Sequence, residues 1–276
     1  MSKVWFVTGA SRGLGRSIVE AALQEGNSVV ATARQPEKFE DLVQQYGQRI
    51  LSLTLDVANY DQVLAAVQAG YAAFGRYDVV VNNAGYADTA AVEDMTLDVF
   101  KAQVDTNFYG VVHVSKAVLP LLRTQGSGHI FQVSSIGGRI GSVGLSAYQS
   151  AKWAVGGFST VLAQEVAPLG IQVTVLEPGG MRTDWAGSSM TIPPISAPYQ
   201  PTVGAFANML RAYSGQEPTD PAQVAHVIMQ LANRPDAPVR LLLGVDAAQY
   251  AAQASQALAA SDAQWHELST SFSSPS

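Results

Sequence analysis

The sequence predicts an α/β fold in which helices cover both faces of a doubly wound, seven-stranded parallel sheet. Three observations predict it. Short apolar runs alternate with longer amphipathic stretches, the signature of repeated βα units. A glycine-rich turn at Gly9, Gly13 and Gly15 follows the first apolar run and opens the first amphipathic one. The 276 residues, 47% hydrophobic and 14% charged, suit one large domain with a sizeable core better than two small ones.

Strands are predicted at residues 4–8, 28–33, 50–56, 79–82, 129–134, 171–177 and 240–243, each a short apolar run bounded by turn-forming residues. Helices are predicted at 13–25, 37–46, 60–74, 97–122, 148–167 and 221–232. Gly26 and Gly47 follow the first two, and Pro221 opens the last where a helix needs no N–H donor. Two regions break the rhythm. Residues 185–210 contain no charge, and residues 245–276 form an Ala- and Gln-rich tail bearing Tyr250, Leu258, Trp265, Leu268 and Phe272. The final "SFSSPS" is expected to fray. With no internal repeat and no linker, residues 1–276 read as a single domain.

The formal charge of −6 and a pI near 5.1 speak against nucleic acid or an anionic membrane as the main partner. Zero cysteines exclude disulfides, thiolate metal sites and cysteine nucleophiles. His113, His129, His226 and His266 lack ligand spacing, so no metal is expected. No apolar run approaches the roughly 18–20 residues of a membrane span. No basic segment followed by an apolar one precedes the first strand, so a soluble, cytoplasmic protein is expected.

Two motifs carry chemistry. In "VTGASRGLGRS", Gly9 permits a turn off the strand and Gly13 leaves room for backbone to approach a pyrophosphate. Gly15 lets the helix pack closely with its N-terminus facing the anion. A plain tight turn is the alternative. In "SAYQSAK", Tyr148 and Lys152 stand four apart, on one helical face, and Ser135 lies thirteen residues before the tyrosine in "FQVSS". A tyrosine with an ordinary pKa of about 10 is a poor base at neutral pH. A nearby ammonium is expected to lower it toward the range useful for general acid–base catalysis. Ser135 would hydrogen-bond a substrate oxygen and stabilise its developing charge. A nucleophilic Ser135 lacks support, since no G-x-S-x-G elbow is present.

The glycine spacing is T-G-x-x-x-G-x-G, and "TGASRGLG", "LDV", "NNAG", the Asn107 of "DTNFYG", "VSS", "YQSAK" and "EPGGMRTD" follow in order. Together they resemble the classical short-chain dehydrogenase/reductase family over nearly the whole length, which implies a Rossmann fold. The tail, with "DAAQYA" and the Trp265–Leu268 pair, resembles the 17β-hydroxysteroid-dehydrogenase-like branch. The resemblance selects Ser135 over Ser134 and assigns catalysis to Asn107, Ser135, Tyr148 and Lys152. Asn107 would bind a water linking Lys152 to solvent, and Lys152 and Tyr148 would also meet the nicotinamide ribose. Cofactor contacts are implied for Gly9, Ser11, Arg12, Gly13, Leu14 and Gly15 in the loop, and for Asp56 and Val57 at the adenine. Asn83, Ala84 and Gly85 would line the cofactor, as would Pro178 and Gly179 at the sixth strand's end, and Thr183 and the backbone near Met181 would meet the carboxamide.

An acid at the end of the second strand normally binds the ribose 2′-OH of NAD. "SVVATARQ" offers Thr32 and Ala33 there, then Arg34, with Arg12 on the same side. Two guanidinium groups without a carboxylate suit the 2′-phosphate of NADP, so NADP(H) is expected over NAD(H). The alternative is two solvated surface arginines.

By resemblance, residues 184–218 form a lid over the substrate. Trp185, Met190, Tyr199 and Phe206 on it, and Ile136, Val143 and Leu145 opposite, are the expected substrate contacts. Such a pocket suits a hydrophobic ketone, aldehyde or secondary alcohol unless Arg139, Arg182 or Arg211 turns inward. The expected activity is NADPH-dependent carbonyl reduction, reversible as alcohol oxidation, with a catalytically silent NADP-binding sensor as the rival. The resemblance also implies a homodimer or homotetramer through the helices at 97–122 and 148–167. The tail could cover the lid or extend that interface.

Overall fold

The first strand, β1 (Val4–Val7), is buried along its whole length, and the chain winds outward from it in two directions. The computed structural model describes residues 2–187 and 189–272. Among them, β2 (Ser28–Ala33) and β3 (Ile50–Thr54) lie to one side of β1. On the other side follow β4 (Val79–Asn82), β5 (Gly128–Val133), β6 (Ile171–Pro178) and β7 (Arg240–Leu243). The order is β3-β2-β1-β4-β5-β6-β7, and every pairing is parallel. The direction of winding reverses at β1, so a crevice opens beyond the carboxyl ends of β1 and β4, where such sheets bind ligands.

The near-continuous apolar strands follow from burial on both faces. Trp5 and Val7 point to one side, against Ile18, Val19 and Leu23 of α1 (Gly13–Gln24) and Val224 and Ile228 of α8 (Pro221–Leu231). Phe6 and Val80 point to the other. There they meet Val63 and Val67 of α3 (Tyr60–Phe74), Val114 and Val118 of α5 (Gly110–Gln125), and Leu162 of α6 (Ser146–Val166). The remaining helices are α2 (Glu40–Tyr46), α4 (Leu97–Val104), α7 (Ala205–Tyr213), α9 (Val245–Gln264) and α10 (His266–Thr270).

The departures from the predicted elements have local causes. The helix expected at 97–122 is interrupted by a π-helical segment, Asp105–Tyr109, ahead of Gly110. There a side chain would collide with Val57, its Cβ falling 2.6 Å from Cγ2. The helix expected from 37 is preceded by a 3₁₀ turn, Pro36–Phe39. The third strand stops at Thr54, because Asp56 turns to accept the Ala58 N–H at 3.0 Å. The uncharged segment holds a 3₁₀ turn (Ala197–Tyr199), a π-helical turn (Gln200–Gly204) and α7. In the tail, α9 starts against β7 and the Ile136–Gly138 turn. It buries Ala247 and Ala251 and leaves Leu258, Trp265, Leu268 and Phe272 exposed. Of the end expected to fray, residues 273–276 lie outside the described residues. Among the described residues, no helix is long and apolar enough to cross a membrane.

Gly9 and Gly26 separate two costs of adding a side chain. Both have left-handed φ, +61° and +85°, which disfavours other residues by about 1–2 kcal/mol. A Cβ at Gly26 meets nothing within 4 Å, whereas one at Gly9 would lie 2.6 Å from the Ala84 Cα. Urea unfolding should therefore show Gly26→Ala costing about 1 kcal/mol and Gly9→Ala clearly more. Equal losses would contradict a tight β1–β4 approach.

Candidate active site

At the crevice, β1 and β4 are stitched together by residues of the glycine loop and of the "NNAG" turn. Thr8 Oγ1 accepts the N–H groups of Asn83 (3.0 Å) and Ala84 (3.1 Å). The Asn83 amide donates in turn to the carbonyls of Thr8 and Gly9, both at 3.0 Å. Gly15 packs into this knot, its missing Cβ being 2.5 Å from Asn83 Nδ2 and 2.6 Å from the Gly9 oxygen. Thr8 was not among the predicted site residues, although it is the threonine of the T-G-x-x-x-G-x-G motif. The N-cap of α1 is Arg12, whose side chain makes no capping bond. The first N–H groups of α1 therefore face the loop, with the positive end of the helix dipole behind them. This cradle fits a dinucleotide pyrophosphate.

The predicted cofactor residues do not all offer side chains. Leu14 is buried in the core below α1, and Val57 in the core on the opposite face. Only their backbones can meet a cofactor. Ser11 is half-buried in the loop, and Asp56, half-buried too, caps its own turn. Arg34 is exposed at the end of β2. The expectation of two guanidinium groups and no carboxylate needs correcting, because Arg12 Nη1 lies 3.1 Å from Asp184 Oδ2. The chain after β6 folds back over the loop and brings that acid with it. A Cβ on Gly13 would stand 3.3 Å from Thr183 Cγ2.

Tyr148 and Lys152, on the first two turns of α6, are buried, with 8% and 3% exposure. The Ser135 hydroxyl faces the phenol closely enough to oppose its upward shift, and its Oγ accepts the Gly137 N–H at 3.0 Å. Ser134 instead donates to the Lys152 carbonyl at 3.2 Å, a structural bond that leaves Ser135 as the hydroxyl facing the tyrosine. Lys152 Nζ donates to the Val133 carbonyl at 2.8 Å and lies 5.6 Å from the Tyr148 ring centroid. Burial pushes the Tyr148 phenol up to about 12, opposed by the Ser135 bond, and lowers Lys152 to about 8. The expected depression of the phenol by the ammonium is thus overturned in this state. Desolvation outweighs a cation that sits beyond the ring and is turned toward a carbonyl.

Asn107 is fully buried in the π-helical segment beside Lys152 and Gly85. Its Nδ2 donates to the Tyr86 and Gln103 carbonyls, each at 2.8 Å, and its Oδ1 accepts the Tyr86 N–H at 3.2 Å. The side chain anchors the Gly85–Tyr86 turn. A water there would have to use the second lone pair of Oδ1 or the Asn107 backbone carbonyl.

On the open side of Tyr148, an apolar cluster joins Ala87, Leu145, Tyr148 and Met190, flanked by Trp185, Ile192, Phe206 and Leu210. The Trp185 ring is 5.4 Å from that of Tyr148, and Thr89 donates to the Met190 sulfur at 3.1 Å. Four of the seven predicted substrate residues meet here: Leu145, Trp185, Met190 and Phe206. Three stand apart. Tyr199 donates its hydroxyl to Glu93 at 2.7 Å, Val143 is 48% exposed, and Ile136 is half-buried beside Ser135 outside the cluster. Ala87 was not predicted, because nothing in a lone alanine marks it. Arg139, Arg182 and Arg211 do not turn inward: they bind Glu177, the Glu217 and Pro218 carbonyls, and the Ala186, Gly187 and Met190 carbonyls respectively.

Beyond β6, Gly179 donates to the Leu243 carbonyl at 3.0 Å and Gly180 to Asp246 at 2.7 Å. Met181 pairs with Thr219, and Thr183 Oγ1 accepts the Trp185 N–H at 3.3 Å. Pro178 ends the strand. These residues line one side of the crevice with mostly backbone groups. Asp246, which ties the tail to this turn, escaped sequence reading because its partner is a main-chain N–H.

A glycine cradle at a sheet's switch point, next to a buried Ser–Tyr–Lys group, defines a class, and sequence comparison agrees. The family model described as short chain dehydrogenase matches residues 3–191, and the chain belongs to this family of oxidoreductases. It is 62% identical over 270 residues to oxidoreductase BOA17 of Botryotinia fuckeliana, covering 98% of each chain. A short-chain dehydrogenase from Streptomyces avermitilis superposes with a TM-score of 0.93 at 34% identity, covering 99% of this chain and 100% of that one. An alcohol dehydrogenase from Thermococcus sibiricus, complexed with 5-hydroxy-NADP, gives 0.72 at 26% identity over 88% of this chain and 96% of that one.

Lys152 gives the site a pH signature that needs no substrate. Between pH 8 and about 10.5 the unfolded chain binds a proton at this lysine that the folded chain does not, so folding stability rises with pH across that window. The stability difference between wild type and Lys152→Met, from urea unfolding, should grow in favour of wild type from pH 8 to 10. A flat difference would mean that the ammonium is not desolvated.

Proposed function

We propose that the protein is an NADPH-dependent carbonyl reductase, reversible as an alcohol dehydrogenase, acting on a hydrophobic ketone, aldehyde or secondary alcohol. The observation that carries this is Tyr148: a buried phenol beside Ser135, packed in an apolar cluster with Leu145, Trp185 and Met190. Bound NADPH supplies the hydride. The backbone N–H groups from Ser11 to Leu14 hold the pyrophosphate, and Arg12 and Arg34 hold the 2′-phosphate. Asp56, Val57, Asn83, Ala84 and Gly85 flank the adenosine half, and Pro178, Gly179, Met181 and Thr183 flank the nicotinamide. The family relative solved with 5-hydroxy-NADP supports a phosphorylated cofactor.

The chain's own residues handle position and proton. Ser135 Oγ and the Tyr148 hydroxyl hold the substrate oxygen. A phenol held near 12 stays protonated at neutral pH and so acts as donor when negative charge develops on that oxygen. The phenolate left behind is stabilised by the Ser135 hydroxyl and by Lys152. Residues 184–218 act as a lid whose apolar inner side keeps water from the reacting carbon. In an oligomer, the stretches 97–122 and 148–167 would form the contact, where Tyr109, Trp153 and Val161 are exposed.

Two measurements test the reading. Tyr148→Phe should lower turnover of aryl and alkyl ketones by about 10²–10⁴-fold while leaving NADPH affinity within about threefold. Retained turnover would refute the role, and a wild type that binds NADPH yet turns over no ketone would favour the sensor reading. Arg34→Ala should weaken NADPH by roughly tenfold to a hundredfold, the loss of a charged hydrogen bond, and leave NADH unchanged. A wild type that prefers NADH, or a preference indifferent to this change, would refute the NADP assignment.

A further inference from the structure

Glu177 lies at the floor of the site, next to Pro178 near the end of β6, and its side chain is fully buried. A buried carboxylate persists only when its charge is matched. Its two oxygens are divided between two arginines on different elements. Oε2 accepts from Arg139 Nη2 at 2.5 Å, and Oε1 accepts from Arg240 Nε at 3.0 Å and from Arg240 Nη2. Both arginines keep about a third of their side chains in solvent, at 31% and 32%, so the carboxylate is the enclosed member.

Each arm ends on an element that carries part of the proton-handling group. Arg139 closes the short turn that Ser135 opens: Gly138 N–H donates to the Ser135 carbonyl at 2.9 Å and Arg139 N–H to that of Ile136 at 2.8 Å. The buried Arg139 Nε has no partner among the described residues, so Glu177 takes that side chain's bonding. The Arg240 guanidinium lies against Gly156, one turn beyond Lys152 on α6, where a Cβ would come within 3.0 Å of Nη2. The turn and the helix also touch directly, a Cβ on Gly138 falling 2.9 Å from the Lys152 oxygen.

We propose that Glu177 is a positioning residue, which sets Ser135 against Tyr148 through Arg139 and seats α6 through Arg240. The assignment rests on the roles of Ser135 and Tyr148 given above. The carboxylate is fully enclosed and acts through the two arginines that bind it. It fixes three separately folded segments, the Ser135 turn, α6 and the Pro178–Gly179 end of β6, to one point. Displacing a reacting group by about 1 Å costs catalysis roughly a hundredfold, so an anchor at this point is felt in turnover.

The test uses Glu177→Gln, which keeps the volume and removes the charge, and Arg139→Met, which cuts one arm and leaves Glu177 paired with Arg240 if the first variant folds poorly. Amide exchange by mass spectrometry should accelerate at least about tenfold over residues 135–141 in either variant, with β1 and β2 unchanged. With a ketone and NADPH, kcat should fall about tenfold to a hundredfold while the KM for NADPH stays within about threefold. In a Ser135→Ala background, Arg139→Met should then cost less than about twofold, because its effect runs through a group already removed. Unchanged exchange over 135–141 overturns the proposal whatever the activity. Additive losses of Arg139→Met and Ser135→Ala overturn action through Ser135. Failure of the carbonyl-reductase reading looks different: wild type turns over no ketone, while exchange still decides whether Glu177 holds the turn.

Discussion

The contact between Gly9 and Ala84, at the carboxyl ends of β1 and β4, is the constraint on which the rest of the site depends. It is possible only because residue 9 has no side chain and adopts a left-handed φ. The Thr8 hydroxyl and the Asn83 amide close the gap with four hydrogen bonds, so the loop and the next strand end move as one body. From that body, Gly15 sets how closely α1 approaches, and Gly85 sets how closely Asn107 and Lys152 approach. The phosphate end and the proton end of the crevice are thus spaced by one packed junction.

A second constraint is desolvation. Burying Tyr148 and Lys152 together penalises both charged forms, raising the phenol and lowering the ammonium. The fold answers with hydrogen bonds in place of solvent: Ser135 on the phenol, the Val133 carbonyl on the ammonium. These bonds hold the groups near one another while leaving the tyrosine protonated. Positive charge arriving nearby would pull the phenol's pKa back down.

Legibility in the sequence followed how local each determinant is. The seven strands were readable because both faces are buried, which turns each strand into an apolar run with clear ends. Tyr148 and Lys152 were readable through helical spacing, and Ser135 through its fixed interval once the family pattern was recognised. The close approach of Val57 to Gly110, beside the break at Asp105–Tyr109, was not, because the two lie some fifty residues apart in the chain. Asp184 was invisible as a partner of Arg12 for the same reason: only the fold brings 12 and 184 together. Tyr199 misled because an aromatic in an uncharged segment reads as a pocket wall, whereas its hydroxyl reached a surface acid. Glu177 looked like part of a strand, and its two partners come from a loop and an edge strand.

Charge near the pocket is already committed, and this narrows what the site can accept. Arg211 binds the carbonyls of Ala186, Gly187 and Met190, and Arg182 those of Glu217 and Pro218. Arg139 belongs to Glu177, and Arg12 to Asp184 across the mouth of the phosphate loop. An anionic substrate would have to take a guanidinium from one of these contacts, and each loss would loosen either the lid or the Ser135 turn. A neutral apolar carbonyl needs none of them. Leu145, Trp185, Met190 and Phe206 pack around the Tyr148 phenol without any of these guanidinium groups. A 2′-phosphate faces a milder exchange, because the Arg12–Asp184 pair is half-exposed and such pairs are worth little in water. The same accounting that disfavours charge in the substrate pocket therefore permits it at the far end of the cofactor.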